Sequence, residues 1–482
     1  MSADQAADVL DTPAAGPAAI RGGGLRAAGY AAGLLLALGS APLIFRHLGV
    51  VEFGRYTAVL SLTTLAAGFS EGGLNAIALR EWSTAGPARR RTVMANLLGV
   101  RIALTTITAL LAIAFAAVAG YDSTLVIGTA VACAALLIQT VQTLLSSPLQ
   151  ADLRFGWATI ADLLRQVTLV TGIVVLVLAG AGVLPLLAVQ VPAALVALVL
   201  TVALIRRDVP LRPRADRSVW WPLMRDALPY AVAIAINVAY FRISIIYMSL
   251  FASDLQTGYF AASFRIVEVI IAVPPVLLGA AFPVLSRAAR DDAARLAYAS
   301  RRLLEVALLL GGLCAIALLL GAPVAIDLLA GHDYRPADGI LHIQGLAILA
   351  TFVAGACSYP LLSLRRHRDV LVATLVGLTV SVVGLVTLVG PYEGRGAAVA
   401  TLAAEVATAA TLATFLVRSQ AQLAFPFATT AWTLLAGAVA IALARVSGFP
   451  DLAQMALGVI VYLGIVLAAR QVPRELLDAL RR

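Results

Sequence analysis

The sequence predicts an all-α integral membrane protein with about 14 transmembrane helices, and three observations carry that prediction. First, 61% of its 482 residues are hydrophobic and only 13% are charged, with a mean hydropathy of +0.94. Soluble domains are about 45–50% apolar and about 25% charged. Second, the apolar residues come in runs long enough to cross a bilayer, which takes about 20 residues each. Third, the cations change sides as those runs are counted off.

The N-terminal stretch MSADQAADVLDTPAAGPAAIRGGG is acidic and rich in Pro, Gly and Ala. It lacks the basic opening of a signal peptide and reads as a disordered cytoplasmic tail over residues 1–24. The apolar runs that follow cover 27–45, 55–79, 94–119, 125–147, 159–181 and 185–205, then 228–251, 257–285, 303–329, 340–363, 370–390 and 397–417, and finally 428–446 and 452–469. They divide the chain into an N-lobe of six spans (25–205), a cytoplasmic linker (206–227), a C-lobe of six spans (228–417), and a last segment (418–482) with two more helices and a cytoplasmic C-terminus.

The arginines support this layout. With the N-terminus inside, 26 of the 35 cations fall on the inner side, five on the outer side, and four within spans. The inner clusters include Arg89–Arg91, then Arg206, Arg207, Arg212, Arg214 and Arg217, and Arg365, Arg366 and Arg368. A bias that follows span parity is the signature of a membrane-inserted chain, not of a nucleic-acid surface. A nucleic-acid partner is therefore not expected.

Composition also removes several chemistries. The chain has no lysine, so it has neither the P-loop lysine of an ATPase nor a Schiff-base residue. Its four histidines and three cysteines are scattered, without metal-ligand spacing. No catalytic triad or carboxylate pair stands out, and the loops are too short for a soluble domain. The expectation is a protein that is not an enzyme and carries no cofactor, with proton or sodium coupling as the one ionic requirement to consider.

The chain also resembles itself at an offset near 200 residues. Gly54-Arg55-Tyr56 and Gly258-Tyr259 each follow a short outer turn. Ser146-Ser147-Pro148-Leu149 and Ser358-Tyr359-Pro360-Leu361 each end a span, with arginine close behind. An even number of spans per half makes the two lobes parallel repeats, related by a pseudo-twofold axis along the membrane normal. Gly72-Gly73 and Pro274-Pro275 predict breaks inside spans two and eight.

The second half carries Gly258, Tyr259, Ala261, Ala262, Arg265, Ile266 and Glu268 in the pattern Gly-Tyr-x-Ala-Ala-x-x-Arg-Ile-x-Glu. The first half carries Glu52-Phe53-Gly54-Arg55-Tyr56, Glu71-Gly72-Gly73-Leu74 and Arg80-Glu81. In order and spacing these residues resemble the polysaccharide (oligosaccharide-lipid) flippases of the multidrug/oligosaccharidyl-lipid/polysaccharide exporter superfamily, over most of spans 1–12. The resemblance implies a two-lobed, V-shaped transporter of the bacterial cytoplasmic membrane, acting as a monomer beside glycan-assembly proteins. Its cargo would be undecaprenyl-diphosphate-linked oligosaccharide, moved from the inner to the outer leaflet by alternating access. Many relatives carry an acid two positions after the span-seven arginine, where this chain has Ser244.

The charges within spans are the candidate functional residues, because each costs roughly 2.5–3.5 kcal/mol to place at a bilayer centre on insertion scales. Arg242 and Arg265 lie about 12–14 Å deep on consecutive helices, at 1.5 Å per residue. Guanidinium binds phosphate bidentately, which makes both candidates for holding the lipid diphosphate. Arg101 is a third candidate substrate contact. Glu268, Glu71, Glu405 and Asp162 are candidates for ion coupling. The competing readings are structural: Arg265 can pair with Glu268 three residues on, Asp162 can pair with Arg165, Glu71 and Glu405 can each neutralise a neighbouring arginine, and Arg242 and Arg101 can snorkel. Gln139 and Gln142 suit hydrogen bonds between helices. Three other functions remain open at this stage: a lipid II flippase, a multidrug or cation antiporter of the same superfamily, and a membrane polymerase, ligase or glycosyltransferase.

Overall fold

The computed structural model describes residues 15–419 and 425–472, and every regular element among them is helical. In chain order these are α1 (Ala15–Glu71), α2 (Leu74–Thr84), α3 (Pro87–Val118), α4 (Ser123–Leu145), α5 (Ser147–Ala151), α6 (Phe155–Leu178), α7 (Val183–Ala188) and α8 (Gln190–Ile205). The second series is α9 (Arg217–Phe251), α10 (Asp254–Ile271), α11 (Val273–Asp291), α12 (Ala293–Leu329), a 3-10 turn (His332–Ala337), α13 (Asp338–Ser363), α14 (His367–Ser419), α15 (Phe427–Val446) and α16 (Asp451–Ala468). Helix is the solution lipid imposes, because it satisfies each backbone group within its own segment.

Eleven helical stretches among the described residues are long and apolar enough to cross a membrane, against fourteen predicted spans. The difference has local causes. Residues 24–84 hold two predicted spans in one stretch, broken at Gly49 (φ 70°, ψ 178°). Residues 367–419 likewise hold two, broken at Glu393 (φ 49°, ψ −128°), two residues after Pro391. The predicted span at 257–285 falls on α10 and α11, which part at Ala272. Pro274 and Pro275 then lie in the first turn of α11, where a missing N–H costs nothing.

Other breaks and starts are also readable from the residues. Gly72 and Gly73 both take left-handed φ (52° and 70°) and separate α1 from α2, as the sequence predicts. Asp122, Ser253 and Asp292 cap α4, α10 and α12 by accepting from the N–H groups of Leu125, Gln256 and Arg295. The start of α1 at Ala15 lies inside the stretch read as a disordered tail; residues 1–14, 420–424 and 473–482 are outside the described residues.

The repeated Ser-x-Pro-Leu segments end alike. In the first, Leu153 takes φ 57° and Arg154 N–H donates to Leu149 O at 2.7 Å. In the second, Arg365 takes φ 58° and Arg366 N–H donates to Leu361 O at 2.9 Å. Both are six-to-one closures of the Schellman type.

The chain packs as two compact units. Unit 1 holds the described residues up to Leu48 and then Arg55–Arg242; unit 2 holds Gly49–Gly54 and the described residues from Ile243 on. The division falls within α9, beyond the linker read from sequence. The linker itself is fastened to α3 inside unit 1. Arg214 N–H donates to Ala95 O at 2.9 Å and Asp216 N–H to Asn96 Oδ1 at 2.7 Å. A Cβ on Gly99 would come within 2.0 Å of Arg214 O, so only glycine admits the crossing. Asp216 then starts α9 by accepting from Ser218 Oγ at 2.7 Å and Ser218 N–H at 3.0 Å. Those bonds hold its carboxyl below the usual carboxylate range. Their stabilisation is present above the free carboxyl's pKa of about 3.9 and fades as pH falls through the lower folded value.

In unit 1, Arg101 of α3 is 2% exposed and clamps the end of α1. Its guanidinium donates to Ser70 O (3.1 Å), Glu71 O (3.2 Å) and Glu71 Oε2 (2.9 Å). The bonds satisfy carbonyls left open where the two glycines stop the helix. Asn75 Nδ2 donates to the other oxygen of Glu71 at 2.8 Å.

In unit 2, α15 and α16 dock on α12 through small residues. Ala436, Ala440 and Ala444 are fully buried one turn apart, and Tyr462 donates its hydroxyl to Leu309 O at 3.0 Å. The glycines of the repeat also meet here: a Cβ on Gly258 would lie 2.0 Å from Val50 O, and one on Gly54 would lie 2.8 Å from Gly258 N. Phe53 and Tyr334 pack edge to face beside them, with ring centroids 6.3 Å apart.

Two stability outcomes follow. Arg101→Leu should destabilise the solubilised protein by about 3 kcal/mol, because it leaves a half-buried carboxylate and two open carbonyls; adding Glu71→Gln should recover part of that loss in thermal unfolding. Gly258→Ala should cost about 1–3 kcal/mol by forcing apart two backbones in contact, read in the same melt.

Candidate functional site

Three helices of unit 1 turn polar residues toward one cavity of about 380 Å³. Helix α1 presents Arg26, Gly29, Tyr30 and Gly33, spaced i, i+3, i+4 and i+7 on one helical face. Helix α6 presents Thr159, Asp162, Leu163 and Gln166 at the same spacing, with Arg165 beside them. Helix α4 adds Gln139, Gln142 and Thr143. Gly29 makes the close approach feasible, since a Cβ there would lie 2.2 Å from Thr159 Cγ2.

The electrostatics of this cavity are mixed, with a positive excess. It holds two guanidiniums, of Arg26 and Arg165, and one carboxylate, of Asp162. Both arginines act on the Asp162 carboxylate through their charge, and Gln142 hydrogen-bonds it. Gln142 also donates to Thr201 Oγ1 of α8 at 3.3 Å, the cross-helix bond expected of it. Thr159 is 6% exposed, and its hydroxyl finds no hydrogen-bond partner among the described residues. A buried hydroxyl left open beside a polar cavity is placed to bind what enters it.

The other predicted site residues lie elsewhere. Arg101 and Glu71 form the clamp at the end of α1, so in this conformation the Arg101 guanidinium is committed to protein partners. In unit 2, Arg265 Nη1 donates to Glu268 Oε2 at 3.1 Å, on one face of α10. The Arg265 side chain nonetheless stays 44% exposed. It lies about 16 Å along α10 from Asp254, counted at 1.5 Å per residue. Glu405 of α14 is 6% exposed and accepts from Thr351 Oγ1 of α13 at 2.8 Å. Arg242 is half-buried on α9, at the last position of unit 1. Ser244 is buried and meets Thr401 of α14, hydroxyl to hydroxyl, at 3.4 Å.

The structure thus brings Asp162 into a cavity with Arg26 and Arg165. Sequence reading counted Arg26 as an inner-side cation and Arg165 only as a partner of Asp162. The findable signal was positional: Arg26 and Tyr30 lie one turn apart across Gly29, and Thr159, Asp162 and Gln166 share a face. A second groove of about 530 Å³ lies between the first turns of α3 and α9. It is largely apolar, and its one arginine, Arg89, pairs with Glu81 at 3.4 Å. Among the described residues no cluster of three or more His, Cys, Asp or Glu is placed to hold a metal.

Comparison with solved structures identifies the fold. A lipid II flippase, MurJ, in an inward closed conformation superposes with a TM-score of 0.76 at 14% identity, covering 92% of this chain and 99% of that one. An inward-facing multidrug resistance MATE transporter of the MOP superfamily gives a TM-score of 0.66 at 14% identity, over 81% and 95% of the two chains. A MOP superfamily transporter from Pyrococcus furiosus, noted for the reverse polarity of its binding pocket, gives 0.59 at 16% identity, over 88% and 99%. At these identities the likeness shows the fold alone, that of a multi-pass helical transporter. No curated protein matches the sequence significantly. The sequence profile of the polysaccharide biosynthesis protein family matches residues 20–289, more than half of the chain, and the chain belongs to that family.

Proposed function

We propose that this protein is a flippase for lipid-linked oligosaccharide. It moves an undecaprenyl-diphosphate-linked glycan from the inner to the outer leaflet of the bacterial cytoplasmic membrane. The observation that carries this reading is Arg265: a guanidinium well inside an apolar segment, 44% exposed even while paired with Glu268. A charge in such a segment does not face lipid; it faces a wet space or a polar cargo. Membership of the polysaccharide biosynthesis protein family supports a glycan as that cargo, and the MurJ structure belongs to a protein named a lipid II flippase.

In this reading both termini are cytoplasmic, as the arginine bias favours. The head group crosses between facing states of the protein while its polyprenyl tail stays in lipid, and no bond of the cargo is made or broken. Arg265 holds the diphosphate. Glu268 keeps Arg265 extended and takes part in its release. Family and fold point to a transporter rather than a catalyst. A cation exporter would need acidic groups facing its cargo, whereas the exposed charge here is basic.

Buried carboxylates are the candidates for coupling. Glu405 is enclosed between α13 and α14 with a hydroxyl donor at 2.8 Å, an environment in which gaining or losing a proton changes packing. Glu71 is paired with the Arg101 guanidinium instead, and Asp162 feels the charge of Arg165 and Arg26.

The test is flipping of a fluorescent lipid-linked oligosaccharide in vesicles holding the purified protein. Arg265→Ala should slow flipping at least tenfold without changing the amount inserted, and Arg265→Lys should recover part of the rate; a normal rate for Arg265→Ala overturns the role of Arg265. Glu405→Gln should abolish the response of the rate to an imposed proton or sodium gradient while leaving flipping without a gradient nearly unchanged; a retained response removes Glu405 from coupling.

A further inference from the structure

We infer that the cavity among α1, α4 and α6 is a loading site within unit 1 for the junction between the diphosphate and the first sugar of the lipid-linked glycan. This rests on the flippase reading above and deepens it, because the residues lining the cavity include neither Arg242 nor Arg265.

Four features of the cavity argue for it. The cations outnumber the carboxylate two to one, so the cavity favours an anion and disfavours a cationic drug. Guanidinium forks match the oxygens of a diphosphate, and the two come from different helices, so they can grip it from two sides. Gln139 and Gln166 line the same space, and a primary amide both donates and accepts, as vicinal sugar hydroxyls require. The open hydroxyl of Thr159 adds a buried group that lacks a partner until a polar ligand supplies one.

Size and depth agree with a junction. About 380 Å³ lies at the lower end of the roughly 300–1,000 Å³ typical of small-molecule sites, enough for a sugar diphosphate and too small for a whole oligosaccharide. Asp162 is about 10 Å from the start of α6 and Gln139 about 9 Å from the end of α4, at 1.5 Å per residue. With the N-terminus cytoplasmic, that depth is reached from the inner-leaflet side. Arg26 and Arg165 take the diphosphate, Gln139, Gln166 and Thr159 take sugar hydroxyls, and the Asp162 carboxylate acts on both arginines through its charge.

The experiment measures binding to the full-length protein in nanodiscs of zwitterionic lipid. The probes are a short-chain polyprenyl diphosphate bearing one N-acetylhexosamine, the same polyprenyl diphosphate without sugar, and phosphatidylglycerol as competitor. Arg26→Gln and Arg165→Gln should each weaken both diphosphates about 10- to 100-fold, the loss of one charge-assisted contact. Gln139→Leu should weaken the sugar-bearing probe alone. Arg154→Gln, a nearby charge outside the cavity, should leave both affinities unchanged. If either arginine variant fails to insert, the selective effect of Gln139→Leu decides the question. Wild-type affinity in the cavity variants, or equal displacement of both probes by phosphatidylglycerol, overturns the loading site and leaves the flippase reading standing. A wild-type protein that binds neither diphosphate overturns both.

Discussion

Lipid supplies no counter-charge and no hydrogen bond, so each polar group that this chain places within its helices must be answered by the chain itself or by something wet. That constraint organises the molecule. Arg101 is answered by Glu71 and two backbone carbonyls. Glu305, 5% exposed, is gripped by Arg301 and Arg302 at 3.0 and 2.7 Å. Where the answer is incomplete, as at Arg265 and in the cavity holding Arg26, Arg165 and the open Thr159 hydroxyl, the imbalance marks the place where cargo has something to do.

The same constraint explains the backbone. A helix can stop in lipid only where its freed groups are met. The left-handed glycines at 72 and 73 end α1 where Arg101 can reach the loose carbonyls. The prolines at 274 and 275 fall where α11 has no N–H to lose. Gly99 lets the linker backbone lie on α3, and Gly54 and Gly258 let two backbones touch. These residues give up side-chain contacts so that main chains can come close, which suits a milieu where packing, not water expulsion, joins helices.

Much of the architecture was legible in the sequence because hydropathy and arginine placement are one-dimensional records of a layered solvent. The spans around α3, α4, α6, α15 and α16 fall within a few residues of the expected ranges, except that α3 extends several residues upstream. The two Ser-x-Pro-Leu segments stood out by residue identity, but the left-handed residue five positions after Pro148 and Pro360 did not. The breaks at Gly49 and Glu393 were not, since hydropathy records how apolar a segment is and not where its axis turns. The candidate site was half legible. Asp162, Arg265 and Glu405 stood out as charges in apolar runs, whereas Arg26 sits at the edge of one and is unremarkable until α6 is packed against α1. Which residues face a shared cavity depends on helix rotation, and that is fixed by contacts such as Gly29 against Thr159.

The meeting of Ser244 and Thr401 joins α9 to α14 without an ionised side chain. At 3.4 Å it is a long contact between two neutral hydroxyls, beyond the usual O–H···O range of about 2.5–3.0 Å. Neither group gains or loses a proton between mild acid and mild alkali, so acidity gives no handle on this seam between α9 and α14. Parting it would separate no ion pair, so the seam is held by the fit of the surrounding helices.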